Sequence, residues 1–282
     1  MTTDEPTFLP DLYLPSRANQ QWDTSGIDSF ETCLDQQHYQ SYPHTIDYRY
    51  NSRGFRDAEW PNDLSNVIWC IGDSFTVGLG SPLEHTWPCV LQQRTGRRTI
   101  NVGLDGASNN WIARVAEAIL TQFPGAIIVT HWSFLHRRES DPAPILETKF
   151  QNLYHQVREW YWPDCNSSQD LEKLPIYIKR KMMNHRGWKG IIAYGDERLT
   201  HHVRSTVEED INNTQQCVAR LPNHVIHTAI PGWAPADSGL NFSNIILTTQ
   251  LDYARDNFHY DILTSHALVD CIIPALALNA TD

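Results

Sequence analysis

Short apolar runs alternate with longer amphipathic stretches from about residue 64 onward. Four apolar runs have the length and the β-branched content of buried strands. They cover residues 66–72, 98–103, 126–132 and 224–233. Two stretches between them have the apolar spacing of helices: residues 84–96 end in a glycine, and residues 108–125 begin at a serine suited to capping a helix. Strands separated by helices predict a three-layer α/β/α domain, with a mainly parallel sheet between the helices.

The second half of the chain has a less regular pattern. Residues 196–221 and the C-terminal residues predict two further helices. We expect the C-terminal helix to turn five residues inward: Ala267, Leu268, Cys271, Ile272 and Ala275. Between about residues 134 and 190 the pattern loosens around an amphipathic stretch at residues 150–162, and we interpret this segment as an insertion or lid.

The first 62 residues differ in character from the rest, since they are polar, aromatic and weakly periodic. We interpret residues 1–62 as an N-terminal extension that packs on a single domain covering residues 63–282. Asn51, Arg53 and Arg56 precede the first strand of that domain. We favour a structural role for these three residues, tying the extension to the domain, over a role in substrate binding.

The overall charge limits the classes of partner. The chain has 282 residues and a formal net charge of −11, whereas binding to nucleic acid or to an anionic membrane needs a basic surface. No apolar run approaches the roughly 20 residues that span a bilayer, and the N-terminal residues lack the basic start and apolar stretch of a signal peptide. We therefore expect a cytoplasmic protein that neither binds nucleic acid nor inserts into a membrane.

Cysteine and histidine spacing bears on redox state and metals. The six cysteines are scattered without Cys-x-x-Cys spacing, which favours free, mostly buried thiols in a reducing compartment. The chain also lacks the His and Cys spacings typical of metal sites, and it lacks a glycine-rich phosphate loop. We expect no required metal.

The stretch VIWCIGDSFTVGLG, residues 67–80, places Gly-Asp-Ser directly after the first predicted strand. By itself this stretch allows two interpretations of Ser74: a turn residue that caps a helix, or a nucleophile. In open parallel sheets, ligands bind beyond the carboxyl ends of the strands, and Ser74, Gly106 and His131 all fall at or just beyond such ends. A serine nucleophile also needs a base, and that base must be oriented by a third group.

The base with the best sequence context is His259, in ARDNFH. Asp256 precedes it by three residues, so both side chains can lie on one side of a turn. The carboxylate can then accept a hydrogen bond from one ring nitrogen while the other faces a nucleophile. Taken alone, this spacing is weak, because a chain with 33 acidic residues and 13 histidines contains such pairs by chance. A surface ion pair is the alternative.

Three motifs together resemble the SGNH, or GDSL-type, family of serine esterases and lipases. They are IGDSFTVG after the first strand, NVGLDGASNN after the second, and ARDNFH near the C-terminus. The resemblance covers roughly residues 64–276 and is poor over residues 134–190. It implies a flavodoxin-like sheet of about five strands and ester hydrolysis through an acyl-enzyme, without a cofactor.

The resemblance also implies roles for single residues. Ser74 corresponds to the catalytic nucleophile, His259 to the general base and Asp256 to the group that orients the base. The backbone N–H groups of Ser74 and Gly106 correspond to the oxyanion hole, and a glycine suits that position because no side chain obstructs the approach. The alternative for Gly106 is an ordinary glycine in a strand-to-helix turn.

One motif of the family is missing. The resemblance implies an asparagine after the third strand, as a further oxyanion donor, but the chain has VTHWSFLHRRE there. His131, Trp132 and Ser133 are candidates to replace that donor, and Arg137 is a candidate for contacting substrate, with an ion-paired surface as the alternative. Loss of one oxyanion donor can lower the rate by about 10²–10³-fold, which leaves room for an altered oxyanion hole, a different acceptor or weak activity.

We therefore expect a serine-dependent ester hydrolase that acts on a small-acyl ester. The ten tryptophans and eleven tyrosines make an O-acetylated carbohydrate a candidate substrate. Two alternatives remain open: an O-acyltransferase on the same scaffold, in which a sugar hydroxyl replaces water, and a non-catalytic glycan-binding module. The partner expected in each case is a small molecule or glycan, and the sequence leaves the oligomeric state open.

Overall fold

The computed structural model describes residues 12–135, 137–140, 191–192, 199–202, 207–231 and 244–279. The described part begins with two short strands and a helix between them: β1 (Gln21–Trp22), α1 (Gln36–Ser41) and β2 (Tyr48–Arg49). The elements that follow are β3 (Ile68–Gly72), α2 (Ser74–Val77), α3 (Trp87–Thr95), β4 (Thr99–Gly103), α4 (Asn109–Gln122) and β5 (Ile127–Trp132). The second half contains β6 (Arg137–Ser140), β7 (Ile191–Ile192), β8 (Leu199–His202), α5 (Val207–Ala219), β9 (Ile226–Ala229), β10 (Ile245–Leu247) and α6 (Ile262–Asn279).

Five parallel strands form the central sheet, in the order β4–β3–β5–β9–β10. Numbered along the chain, this order is 2-1-3-4-5, which is the flavodoxin-like order. Helix α3 packs against α6 and α4 packs against α5, so the structure confirms the predicted α/β fold with a parallel sheet flanked by helices. Gly72 at the end of β3 pairs with Gly103 on one side and with His131 on the other. The carboxyl ends of three neighbouring strands therefore meet at one edge.

The core lies on both faces of this sheet. All residues of β3 and β4 are buried, which is why these strands read as continuous apolar runs. Helix α4 begins after Ser108, whose hydroxyl accepts the backbone N–H of Trp111, and Gly96 ends α3 in a left-handed conformation. The caps predicted from the sequence thus mark the observed helix ends.

Two elements of the structure differ from the prediction. The helix predicted at residues 196–221 begins only at Val207, because Leu199–His202 forms a strand that pairs antiparallel with β6 and with β7. Strand β10 was not predicted, and its three residues are too few to show a pattern. Pairing with distant strands supplies the backbone hydrogen bonds here, and the local sequence does not show such pairing. The helix predicted at residues 150–162 lies outside the described residues.

The predicted inward face of α6 is confirmed only in part, since Ala267 and Ala275 are only partly buried. Leu268 and Ile272 are buried as expected, but Cys271 is exposed and Val269 is buried in its place. Residues 265, 268, 269 and 272 are the buried ones in this part of the helix, so the helix is rotated by a fraction of a turn from the predicted face.

The N-terminal extension packs directly on the domain. Leu12, Leu14 and Phe55 belong to the main hydrophobic core. Arg56 is 1% exposed and donates hydrogen bonds to carbonyl groups at the end of α2 and in the loop that follows it. This arginine therefore joins the extension to the segment after Ser74.

A second link joins the extension to the chain just before α6. Arg255 pairs with Asp28 at 2.7 Å, and the Tyr48 hydroxyl donates to the same carboxylate at 2.5 Å. The Tyr48 oxygen also accepts the backbone N–H of Gly80 at 2.8 Å. Because Arg255 directly precedes Asp256, these contacts help to position the loop that carries the Asp256/His259 pair.

Candidate active site

Ser74 lies where the first strand of the central sheet turns into a helix. β3 ends at Gly72, Asp73 caps α2, and Ser74 is the first residue of that helix. A Cβ atom at Gly72 would lie 2.1 Å from Thr76 Oγ1 and 3.0 Å from the His131 carbonyl oxygen, so the turn needs glycine. This turn holds Ser74 beyond the carboxyl end of β3, the strand next to which the strand order reverses.

The loop before α6 brings His259 and Asp256 to Ser74, 185 residues away from His259 in the chain. His259 Nδ1 lies 2.5 Å from Asp256 Oδ2, and His259 Nε2 lies 2.8 Å from Ser74 Oγ. Since a carboxylate can only accept, Nδ1 carries the proton and Nε2 of the neutral ring accepts the Ser74 hydroxyl. The other oxygen of Asp256 accepts the backbone N–H groups of Phe258 and His259, each at 3.0 Å. All three side chains are at least 96% buried.

The surroundings shift the pKa values of this pair in opposite directions. Burial alone disfavours the charged form of both groups, but their mutual attraction and hydrogen bonding outweigh it. The pKa of Asp256 therefore lies below its usual value, and the pKa of His259 lies above its usual value of 6.5. The charges of Asp73 and Asp105 add to the increase for His259. The ring is thus a stronger base than a free histidine.

Gly106 lies in a tight turn after β4. The backbone N–H of Ala107 donates to the Leu104 carbonyl at 2.9 Å, and Gly106 has a φ of 76°, which favours glycine. The Leu104 N–H donates to the Gly72 carbonyl at 3.0 Å and holds the turn beside the end of β3. Within the described residues, the backbone N–H groups of Ser74 and Gly106 form no hydrogen bond. Both N–H groups are therefore available to donate to a ligand.

A buried ion pair includes Asp73, the residue that directly precedes Ser74. Arg137 Nη1 is 3.1 Å from Asp73 Oδ2, and the two side chains are 8% and 0% exposed. The Ser133 hydroxyl donates to the same carboxylate oxygen at 2.5 Å and accepts from Arg137 at 2.9 Å. The Asp73 carboxylate also accepts the Phe75 N–H at 3.0 Å. Arg137 is therefore ion-paired, and the Ser133 hydroxyl donates its proton within this network. The network holds Asp73, the cap of α2, in place next to Ser74.

The other two residues predicted as substrate or oxyanion contacts, His131 and Trp132, are fully buried at the end of β5. His131 Nδ1 lies 2.7 Å from Thr228 Oγ1, and Nε2 lies 3.2 Å from the Tyr260 hydroxyl. Burial lowers the pKa of His131 to about 4, so this ring is neutral. Trp132 stacks on His227 with ring centroids 5.7 Å apart. Both side chains contact the protein core rather than open space.

Three polar residues beside the site were not singled out from the sequence. Asp105 directly precedes Gly106, and its position in NVGLDG was the one available signal. Arg17 and Tyr50 lie in the N-terminal extension, whose weak periodicity does not indicate that it approaches the site. Burial raises the pKa of Asp105, and the charges of Arg17 and His259 oppose that increase.

Neither a metal cluster nor a membrane span is found in the described part of the chain. No three His, Cys, Asp or Glu side chains there are grouped so that they could hold a metal ion. No helix among the described residues is both long and apolar enough to cross a bilayer. A comparison with models of known protein families matches none of them, and a comparison with curated proteins finds no matching sequence. The geometry of the site is therefore the observation from which function is inferred.

Proposed function

We propose that this protein is a serine ester hydrolase of the SGNH, or GDSL, type that acts on small-acyl esters through an acyl-enzyme. The observation that carries the proposal is the hydrogen-bonded series from Ser74 Oγ to His259 Nε2 and from His259 Nδ1 to Asp256 Oδ2, at 2.8 and 2.5 Å. A nucleophile within hydrogen-bonding reach of a base, with that base oriented by a carboxylate, is the arrangement that activates a serine hydroxyl.

The chemistry follows from these contacts. His259 Nε2 removes the hydroxyl proton as Ser74 Oγ attacks the ester carbonyl carbon, and Asp256 stabilises the imidazolium that forms. The backbone N–H groups of Ser74 and Gly106 donate to the oxygen on which negative charge develops. His259 then protonates the leaving alcohol. Water, deprotonated by the same ring, attacks the acyl-enzyme and releases the acid.

A covalent probe tests the proposed nucleophile. A fluorophosphonate is expected to add once to the wild-type protein, with the added mass on the peptide that contains Ser74. The Ser74→Ala variant should remain unlabelled, whereas a Ser65→Ala variant, which changes an exposed serine, should be labelled like the wild type. Labelling of another residue contradicts Ser74 as the nucleophile, and absence of labelling favours a non-catalytic module.

The pH dependence of the rate tests the proposed base. His259 must be neutral to accept a proton, so kcat/KM for p-nitrophenyl acetate should fall as the pH drops below the pKa of His259. That pKa lies above 6.5, since the attraction to Asp256 outweighs the effect of burial. In Asp256→Asn the negative charge is lost, so the acid limb should move to lower pH. The rate at the plateau should fall about 10⁴-fold, because the imidazole is no longer held in the productive tautomer.

The matched control is Asp270→Asn, which changes a carboxylate whose side chain is 58% exposed on α6. This variant should retain the wild-type profile. An acid limb that stays at the same pH in Asp256→Asn would rule out His259 as the titrating base.

A further inference from the structure

The two proposed oxyanion donors lie on different turns. The N–H of Ser74 follows β3, and the N–H of Gly106 lies in the turn after β4. The Leu104 N–H joins the bases of these turns by donating to the Gly72 carbonyl at 3.0 Å. Two donors stabilise one oxyanion only when both point at the same oxygen atom. The distance and direction between the two N–H groups therefore have to be fixed as well.

Arg137 lies between these two turns. Its Nη1 atom is 3.1 Å from Asp73 Oδ2, and Asp73 directly precedes Ser74. The same nitrogen lies 3.5 Å from the carbonyl oxygen of Ala107, which directly follows Gly106. The Arg137 side chain is 8% exposed, and its planar guanidinium is a rigid donor. One buried cation thus contacts the immediate neighbours of both oxyanion donors.

Ser133 makes a second connection between the turns. Its hydroxyl donates to Asp73 Oδ2 at 2.5 Å and accepts from Arg137 at 2.9 Å. Its backbone N–H donates to Asn109 Oδ1 at 2.7 Å, and its carbonyl accepts from Asn109 Nδ2 at 3.1 Å. Asn109 is the first residue of α4 and follows the Gly106 turn. Asp73, Asn109 and Ser133 are all fully buried, so water does not weaken these hydrogen bonds.

We propose that Arg137 and Ser133 are positioning residues that hold the backbone N–H groups of Ser74 and Gly106 at the spacing and direction needed to bind one oxyanion. This inference rests on the proposed hydrolase function. The sequence makes Ser133 a candidate to replace the missing asparagine as a direct oxyanion donor. Its hydroxyl proton goes to Asp73 instead, so Ser133 acts on the oxyanion hole through the turns that carry the donors.

Removal of one hydroxyl tests this role without changing any charge. In Ser133→Ala the connection between Arg137 and Asp73 is weakened, and kcat for p-nitrophenyl acetate should fall about 10-fold. Arg137→Met removes the contacts to both turns and should lower kcat about 10²-fold, the cost of a misplacement of about 1 Å. KM should stay the same, because the carbonyl oxygen of the bound ester does not yet carry the negative charge. Arg137→Lys should recover part of the loss, since an ammonium group keeps the charge opposite Asp73.

A trifluoromethyl ketone reports on the oxyanion hole directly. With 1,1,1-trifluoroacetone, Ser74 Oγ bonds to the carbonyl carbon, the π electron pair of the C=O bond moves to the oxygen, and the hydroxyl proton moves to His259 Nε2. This oxyanion takes the place of the one in the transition state, so Ki should rise by the same factor by which kcat/KM falls. A purely structural role predicts a lower urea midpoint without this parallel change.

The matched control is Thr99→Val. Thr99 is 2% exposed, and its hydroxyl donates to the Pro88 carbonyl at 2.9 Å, at the opposite end of β4 from Gly103. This variant also removes one buried hydroxyl group. It should therefore lower the urea midpoint and keep the wild-type kcat and Ki.

The possible outcomes separate failure of the positioning role from failure of the hydrolase. If hydrolysis requires Ser74 but Ser133→Ala and Arg137→Met keep the wild-type kcat and Ki, the hydrolase stands and the positioning role is wrong. A lower kcat with an unchanged Ki also overturns the role, because the loss then arises outside the oxyanion hole. If Arg137→Met does not fold, Ser133→Ala decides. If Ser74→Ala hydrolyses the ester as fast as the wild type, the proposed function is wrong, and the positioning role falls with it.

Discussion

The Ser74→Ala variant should hydrolyse p-nitrophenyl acetate with a kcat lowered by about 10⁶-fold. Without the Ser74 hydroxyl no acyl-enzyme can form. In the wild type this oxygen lies 2.8 Å from His259 Nε2, and in the variant the ring has no hydroxyl to deprotonate. The measurement is the release of p-nitrophenolate under saturating substrate, with Ser65→Ala as the control that removes an exposed hydroxyl. Wild-type activity in Ser74→Ala would contradict the proposed nucleophile.

The same residues should act as one unit. His259→Ala alone should lower kcat about as much as Ser74→Ala, because a serine hydroxyl is a poor nucleophile when no base removes its proton. The double variant should be no slower than either single variant. Effects that multiply instead would mean that Ser74 and His259 work independently, and the hydrogen bond between them would then have no catalytic role.

The Arg56→Met variant should lower the free energy of unfolding by about 3–5 kcal/mol. The Arg56 guanidinium is buried and donates to the carbonyl groups of Val77, Gly78 and Ser81 at 3.2, 2.5 and 2.8 Å. Methionine keeps the apolar part of the side chain and removes every donor, so these carbonyls lose their partners. Burial of the guanidinium is unfavourable, and it lowers the pKa of Arg56. The variant removes this unfavourable contribution, which limits the net decrease in the free energy of unfolding.

Urea unfolding measures this effect as a lower midpoint at an unchanged slope. The control is Arg49→Met, since the Arg49 side chain is 74% exposed and forms a surface ion pair with Asp47. Its effect should stay within about 0.5 kcal/mol. Equal midpoints for wild type and Arg56→Met would show that the extension does not depend on this arginine for its attachment.

The local features of the site could be read from the sequence because each depends on neighbouring residues. The apolar run before Ser74 is continuous because β3 is covered on both faces. Asp256 and His259 are three residues apart, and a single turn is sufficient to join their side chains. The helix end at Gly96 depends on one glycine with a φ of 66°.

Features that depend on distant pairing were missed or misplaced. The local pattern places strand β8 in a helix, because its partner β6 is distant in the sequence and its other partner β7 has two residues, which are too few to show a pattern. Arg137 was a candidate for contacting substrate, and only the folded chain shows that it pairs with Asp73, 64 residues earlier. A charged residue gives no local sign of which opposite charge it will meet.

The sequence by itself determined the α/β class, the caps of α3 and α4, and the Asp256/His259 pair, since all of these arise from interactions within a few residues. The tertiary structure decided that the Asp256/His259 pair contacts Ser74. The strand order β4–β3–β5–β9–β10 places the end of β3 at the reversal point of the sheet, and the loop before α6 reaches it across 185 residues. It also decided that Gly26, from the N-terminal extension, packs against the Asp105 carboxylate. Contacts of this kind are selected by the packing of the whole chain, and no local pattern of apolar and polar residues encodes them.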